Sequence, residues 1–345
     1  MRSYALPLVL VFTLCASQAP AQETYRMTKI EGLTFFGGLN KNGVVVGATR
    51  AAKGAQHAAI WQRGQLTDIH DRIDSNAVES DLRDVNDKLD MVGTFVDPNF
   101  RGFLLSGRRL TEIKPLPGDE FLFATHINER KQVLGGSHDS DTGLSRQFVW
   151  DRGRFTILEG LDGKTFSIEP VEIADSGIVA GTDSRAQRAV TWQNGTVMDI
   201  GGLPGSFSNQ SGAINDVGQI AGQSVMTDPN VFPQQVTAFV WQAGVATALP
   251  SLFSGLSASN TFGINNHGVV VGDSLVDRGG GTEEIATVWV DNAVFDLNQL
   301  IDPNDPLKST VTLLSGNAIN DRGQIVAAAF GANFALEYYL LTPVR

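Results

Sequence analysis

The chain has 345 residues, of which 42% are hydrophobic and only 18% charged, with 37 glycines and 13 prolines. Lys and Arg number 26 against 37 Asp and Glu, and the formal net charge of −11 disfavours nonspecific binding to nucleic acid, which needs clustered cations to displace counterions. The single cysteine excludes a disulfide scaffold and a zinc site built on several thiolates.

The first element in the chain is a targeting segment. Arg2 precedes an apolar run from Tyr4 to Ala16, and Ala19-Pro20-Ala21 offers the small residues that a signal peptidase reads. Residues 1–21 are therefore expected to be a signal peptide, and residues 22–345 the mature domain. The apolar run is shorter than the roughly 20 residues of a permanent span, so no membrane span is expected after cleavage. Cys15 leaves with the signal, and export without disulfides fits a secreted or periplasmic bacterial protein.

The mature chain reads as one unit repeated seven times. Leu39-Asn40-Lys41-Asn42-Gly43-Val44-Val45-Val46-Gly47 has counterparts that begin at Ile214-Asn215, Ile264-Asn265 and Ile319-Asn320. Weaker copies begin at Asn86 and Asn128, and one carries Ala174 in place of the asparagine but keeps Gly177 and Gly181. The spacings of 41 to 55 residues match propeller-blade periods. All five tryptophans, Trp61, Trp150, Trp192, Trp241 and Trp289, share one repeat position. An aliphatic residue follows each by eight: Ile69, Leu158, Ile200, Leu249 and Leu297. The second repeat carries Leu105 and Ile113 at these two places.

Each piece has a physical reading. Asn-x-x-Gly is a tight turn, in which the asparagine caps the backbone and glycine supplies a positive φ. Trp-x-x-Gly marks a second hairpin turn, with Asn292 replacing the glycine in the sixth repeat. In the second repeat Arg108 stands there, so that turn must differ. The apolar runs between turns have strand length, and helical periodicity is nearly absent. Each repeat thus reads as four strands, A to D, in an antiparallel meander. The last repeat lacks strand D, while Tyr25-Arg26-Met27-Thr28-Lys29-Ile30 precedes the first strand A as an orphan. The expected fold is all-β: a seven-bladed β-propeller of four-stranded antiparallel blades, closed by the N-terminal strand completing the last blade.

The combination of Ile-Asn-x-x-Gly-x-Val-Val-Gly, His-Ala-x-x-Trp and Asp-Ile or Asp-Leu resembles the bacterial extracellular HAF repeat family. The namesake triplet reads His57-Ala58-Ala59 in the first repeat and is degenerate elsewhere, as at Arg101-Gly102-Phe103 and Arg146-Gln147-Phe148. The resemblance covers essentially the whole mature chain. It implies export and a β-repeat fold, and brings no catalytic residues.

The A–B and C–D turns are short and alike, whereas the B–C and D–A loops differ in every repeat, as in Thr49–Gln56, His138–Arg146 and Asn298–Lys308. A rigid scaffold with variable loops on one face is how binding surfaces are built, and Phe232 lies on one of these loops. His57, Arg101, Arg146 and Arg188 share the position four before the tryptophan site, where they either brace a blade or present a cationic arc to an acidic ligand. His126 lies on a strand A and faces the channel or the core. Asp139 and Asp141, in His138-Asp139-Ser140-Asp141-Thr142-Gly143, are the calcium candidates, although the further carboxylates of a full calcium loop are missing. Asp302 and Asp305 read as solvated. No nucleophile elbow, phosphate loop or His-Glu-x-x-His motif is present.

These features favour a non-enzymatic, monomeric binding module for a protein or carbohydrate, without a catalytic residue or an obligatory cofactor. The alternatives are a lyase or hydrolase working at the channel mouth, and a structural cell-surface component.

Overall fold

The computed structural model describes residues 23–344, apart from 75, 229, 231–233, 254–257 and 278–281. The expected signal peptide and Phe232 lie outside the described residues. The described chain forms strands β1 to β28 and one short helix, α1 (His70–Asp74). The first sheet comprises β2 (Leu33–Leu39), β3 (Val45–Arg50), β4 (Gln56–Gln62) and β5 (Gln65–Asp68), each paired with the next. The second runs from β6 (Ser80–Val85) through β7 (Asp90–Asp97) and β8 (Asn99–Ser106) to β9 (Arg109–Ile113). The third comprises β10 (Phe121–Ile127), β11 (Val133–Asp139), β12 (Leu144–Asp151) and β13 (Arg154–Ile157). The fourth follows as β14 (Ile168–Ile173), β15 (Val179–Asp183), β16 (Arg188–Gln193) and β17 (Thr196–Asp199).

The next two repeats break this pattern. β18 (Ser208–Ile214), β19 (Ile220–Val225), β20 (Val236–Gln242), β21 (Val245–Ala248), β22 (Ala258–Ile264), β23 (Val270–Asp277), β24 (Thr282–Val290) and β25 (Ala293–Asp296) share one eight-stranded sheet. The join is a parallel pairing of β20 with β22 at Val236 and Ala258. The molecule is an all-β propeller, but five blades, not seven, are separate four-stranded antiparallel sheets, which corrects the sequence expectation. The repeat pattern encodes pairing within a unit; it carries no signal for a hydrogen bond formed across the boundary between two units.

The remaining sheet joins the two ends of the chain. β26 (Leu313–Ile319), β27 (Ile325–Phe330) and β28 (Leu336–Val344) are completed by β1 (Thr24–Lys29), which pairs antiparallel with β28 from Thr24–Val344 to Lys29–Tyr339. Tyr25, Met27 and Ile30 are buried. Asp305 is buried too, contrary to its expected solvation, because its carboxylate accepts the Met27 N–H at 2.7 Å and so anchors this strand.

The hairpin chemistry follows the residues. At the C–D turns both central residues have positive φ, as in Arg63-Gly64 and Asp291-Asn292, the geometry that matches strand twist. In the second sheet it is Gly107, one place earlier, that takes the positive φ, so this turn does differ. Trp61, Trp150, Trp192 and Trp289 are buried, while Trp241 packs half-buried against a core cluster. The aliphatic eight residues on is buried in each case and donates its N–H to strand C, as Leu297 does to the Ala286 carbonyl at 2.9 Å. Neighbouring inner strands approach backbone to backbone: a Cβ on Gly37 would sit 2.2 Å from the Leu82 carbonyl oxygen, and one on Gly212 would sit 2.1 Å from that of Thr261. This contact keeps the central channel narrow.

Candidate functional site at the channel mouth

The A–B turns join into a belt around one mouth of the channel. Within a turn, Asn40 Oδ1 accepts the N–H groups of Asn42 and Val44, both at 3.0 Å. Its Nδ2 then donates to the Asn86 carbonyl at 3.1 Å. Asn86 reaches Asn128, Asn128 reaches Ala174, Asn215 reaches Asn265, Asn265 reaches Asn320, and Asn320 closes the circle on Asn40 at 3.0 Å. Ala174 has no side chain with which to reach Asn215, so the belt has one gap.

A second belt lies beside the first. The residue after each key position but the last donates its N–H to the side chain of its counterpart in the next turn: Lys41 to Asp87, Glu129 to Asp175, Asp175 to Asp216, Asp216 to Asn266 and Asn266 to Asp321, at 2.8 to 3.0 Å. Asp87 donates to Glu129 in the same way. Five carboxylates, those of Asp87, Glu129, Asp175, Asp216 and Asp321, therefore ring the mouth. Sequence reasoning missed them because it placed function on the variable loops. The signal was present, since the residue after the key position is acidic or Asn in every copy but the first.

Three titratable groups line the channel just inside this mouth. Asp84, His126 and Glu172 occupy the same position, two before the key residue, on β6, β10 and β14. Gly38, Ala213, Gly263 and Ala318 hold that position elsewhere, so one part of the wall is polar and the rest is small. Asp84, His126 and Glu172 share a cavity of about 150 Å³ with Gly38, Gly263 and Ala318. Asp84 accepts the N–H groups of Ile127 at 2.9 Å and Val85 at 2.7 Å, yet burial pushes its carboxyl up to about 6. Glu172 accepts the Ile214 N–H at 2.9 Å. Burial, with the nearby charges of Asp84 and Asp216, pushes it up to about 8. Burial and the neighbouring Arg83 pull His126 down to about 4, and its Nδ1 has no hydrogen-bond partner. At neutral pH the cavity thus holds a protonated carboxyl, a neutral imidazole and a largely ionised carboxylate. Proton donor and proton acceptors stand side by side.

The other sequence candidates lie outside this cavity. Arg101 pairs with Glu112 at 3.3 Å, and Arg188 with Asp199 at 3.8 Å. Arg146 binds Asp119 at 2.5 Å and the Pro117 carbonyl at 3.1 Å. His57 Nδ1 meets Asp68 at 2.7 Å. Each of these side chains is matched by a carboxylate of its own blade or of the loop leading into it, the bracing role. Asp139 and Asp141 are joined by Glu120, with one ligand atom from each within 4.8 Å of the others, the one such trio among the described residues. Asp139 already accepts the N–H groups of Asp141 and Thr142 and the Thr142 hydroxyl, which hold it below the ordinary carboxylate range. Glu120 likewise accepts the Ser140 N–H and hydroxyl. Among the described residues no helix is long and apolar enough to cross a membrane.

No protein-family model and no curated protein matches the chain. Its similarities are to solved structures. An oligogalacturonate lyase in complex with manganese is 11% identical, with 94% of this chain and 91% of that chain covered and a TM-score of 0.56. A puromycin-hydrolyzing peptidase of Mycobacterium tuberculosis is also 11% identical with a TM-score of 0.56, covering 91% of this chain but only 52% of the peptidase. The β-propeller domain of the Trilobed protease from Pyrococcus furiosus is 10% identical over 78% of this chain and 84% of that chain, with a TM-score of 0.48. At such identities the likeness concerns the fold alone.

Proposed function

We propose that the protein is an exported propeller, secreted or periplasmic, that acts as a binding module and takes its ligand at the belted channel mouth rather than on the arginine positions of the loop face. The observation that carries this reading is the convergence of Asp84, His126 and Glu172 in one cavity, with an imidazole nitrogen that no protein group satisfies. Buried polar atoms normally have partners, and those that do not are concentrated at functional places. The test is mass spectrometry of small molecules retained by the protein when it is taken from its native exported fraction. A ligand retained by the wild type should be lost from the His126→Ala, Glu172→Gln double variant. Equal retention by both would remove the channel from the binding site.

A second reading, an enzyme at the same cavity, has its own support. Glu172 holds a proton near neutral pH while His126 and Asp84 are able to receive one, the pairing that general acid–base chemistry needs. Among the similar folds are an oligogalacturonate lyase and a puromycin-hydrolyzing peptidase. Conversion of the retained ligand by the wild type, and its loss in Glu172→Gln, separates this reading from binding alone.

A further inference from the structure

We propose that the channel mouth is a site for an extended organic polycation, a polyamine-type ligand whose ammonium groups are spread along a chain. The inference rests on the channel reading above and adds the ligand's chemistry. Five carboxylates ring the mouth, with Asp84 and Glu172 below them. Lys41 pairs with Asp87, and Lys88 pairs with Glu129 at 3.3 Å. Among the described residues no cation pairs with Asp175, Asp216 or Asp321, which receive only backbone and amide N–H groups. Mutual repulsion among Asp175, Asp216 and Glu129 adds to burial in raising the Asp175 carboxyl. Arg130 offsets part of that repulsion without pairing, so a directly bound cation is what Asp175, Asp216 and Asp321 lack, and an acidic mouth focuses the field on one.

The second, independent observation is His126. Its imidazole lines the cavity beneath the ring, is held neutral, and leaves Nδ1 without a partner. A neutral imidazole accepts a hydrogen bond from an ammonium, whereas an anion would face the Asp84 and Glu172 carboxyls in the same cavity. The spread of the carboxylates decides between an organic cation and a metal ion. A bound metal draws its ligand oxygens to 2.0–2.6 Å, so they crowd together. The one trio that close among the described residues is Glu120, Asp139 and Asp141, outside the channel. Gly38, Gly263 and Ala318 on the facing wall leave room for an alkyl chain between charges.

The test is calorimetric titration of the full mature chain with spermidine at pH 7. The Asp175→Asn, Asp216→Asn variant is the probe, because each asparagine Oδ1 still accepts the backbone N–H its aspartate held, with only the Asp216 contact to the Asn266 amide given up. Asp71→Asn, an exposed charge on α1, is the control. The expected result is saturable binding, weakened about tenfold or more in the double variant and unchanged in the control. Equal weakening by Asp71→Asn would reduce the binding to attraction by net charge and overturn the proposal. So would a failure to bind spermidine, or calcium or manganese binding in the channel in its place. In each of these outcomes the channel reading still stands or falls separately, on the retained-ligand comparison.

Discussion

Replacing Ala174 with asparagine should close the belt. At Asn128, the preceding key position, the side chain makes three bonds that Ala174 cannot: Oδ1 accepts the N–H groups of Arg130 and Gln132, both at 3.0 Å, and Nδ2 donates across to Ala174, also at 3.0 Å. The turn at Ala174 already has the same backbone, with Gly177 donating to the Ala174 carbonyl and Ala174 to that of Ile178, both at 2.9 Å. An asparagine there would find the Ser176 N–H and the Asn215 carbonyl in the same places, and would replace the long 3.4 Å contact of the Ile178 N–H with the Ser176 hydroxyl. Each added bond contributes about 0.5–1 kcal/mol net, and ordering the side chain costs part of that, so the gain should be about 1–2 kcal/mol. With an unfolding entropy of about 0.7 kcal/mol/K for a chain of this length, the thermal midpoint should rise by roughly 2 °C. Calorimetry of Ala174→Asn beside Asn128→Ala is the assay, with a loss of about 2–3 kcal/mol expected for the second, because it also strands buried groups. If Asn128→Ala destabilised while Ala174→Asn left the midpoint unchanged or lower, the belt would not be a transferable stabilising device and the reasoning would fail.

Glu172 is raised in the folded state, so its own contribution to stability, on the order of 4–5 kcal/mol, should be lost as pH climbs from about 5 through 8, opposed by His126 below about 6.5, and Glu172→Gln should flatten the limb above that of a denaturant-midpoint profile. His126 is lowered, so folding should weaken as pH falls from about 6.5 through 4, and His126→Gln should remove that dependence. Deleting residues 22–30 should cost more than about 6 kcal/mol, from the burial of Tyr25, Met27 and Ile30 and the β28 ladder; an unchanged melting midpoint would refute closure by that strand. Arg146→Ala should cost about 3 kcal/mol by stranding the buried Asp119, whereas Arg101→Ala and Arg188→Ala, with half-exposed partners, should stay within about 1 kcal/mol in urea titrations.

The strands were legible because their signals are local. Tryptophan and the aliphatic eight residues later stand in one register, and Asn-x-x-Gly and Trp-x-x-Gly name their own turns, so strand order within a repeat follows from residue identity. The N-terminal strand was legible by subtraction, since a repeat without strand D needs one from elsewhere. What sits between repeats was not. The Val236–Ala258 pairing depends on how two units lean together, and no residue type announces it. Asp305 looked solvated because its partner, the Met27 N–H, lies 278 residues away in sequence.

The same distinction explains why the sequence pointed to the loop face and not to the belted mouth. Loop diversity suggested that the variable face was free to evolve recognition, and the uniform turns were read as mere closures. Uniformity at those turns has a different origin: every copy but the one at Ala174 spends an asparagine on the next copy's backbone, and every copy but the first spends an acidic or amide side chain on the preceding copy's backbone. That expenditure fixes the carboxylates in place before any ligand arrives, and the second oxygens of Asp216 and Asp321 face only the Asn266 amide while those of Asp87 and Glu129 face Lys41 and Lys88. A ring rigidified in this way meets a multiply charged ligand without the ordering cost that flexible loops impose. Its one gap falls at Ala174, two residues from Glu172, and there the Glu172 carboxyl itself bridges to the Ile214 N–H. The group with the most displaced proton affinity in the channel thus stands beside the gap in the asparagine belt.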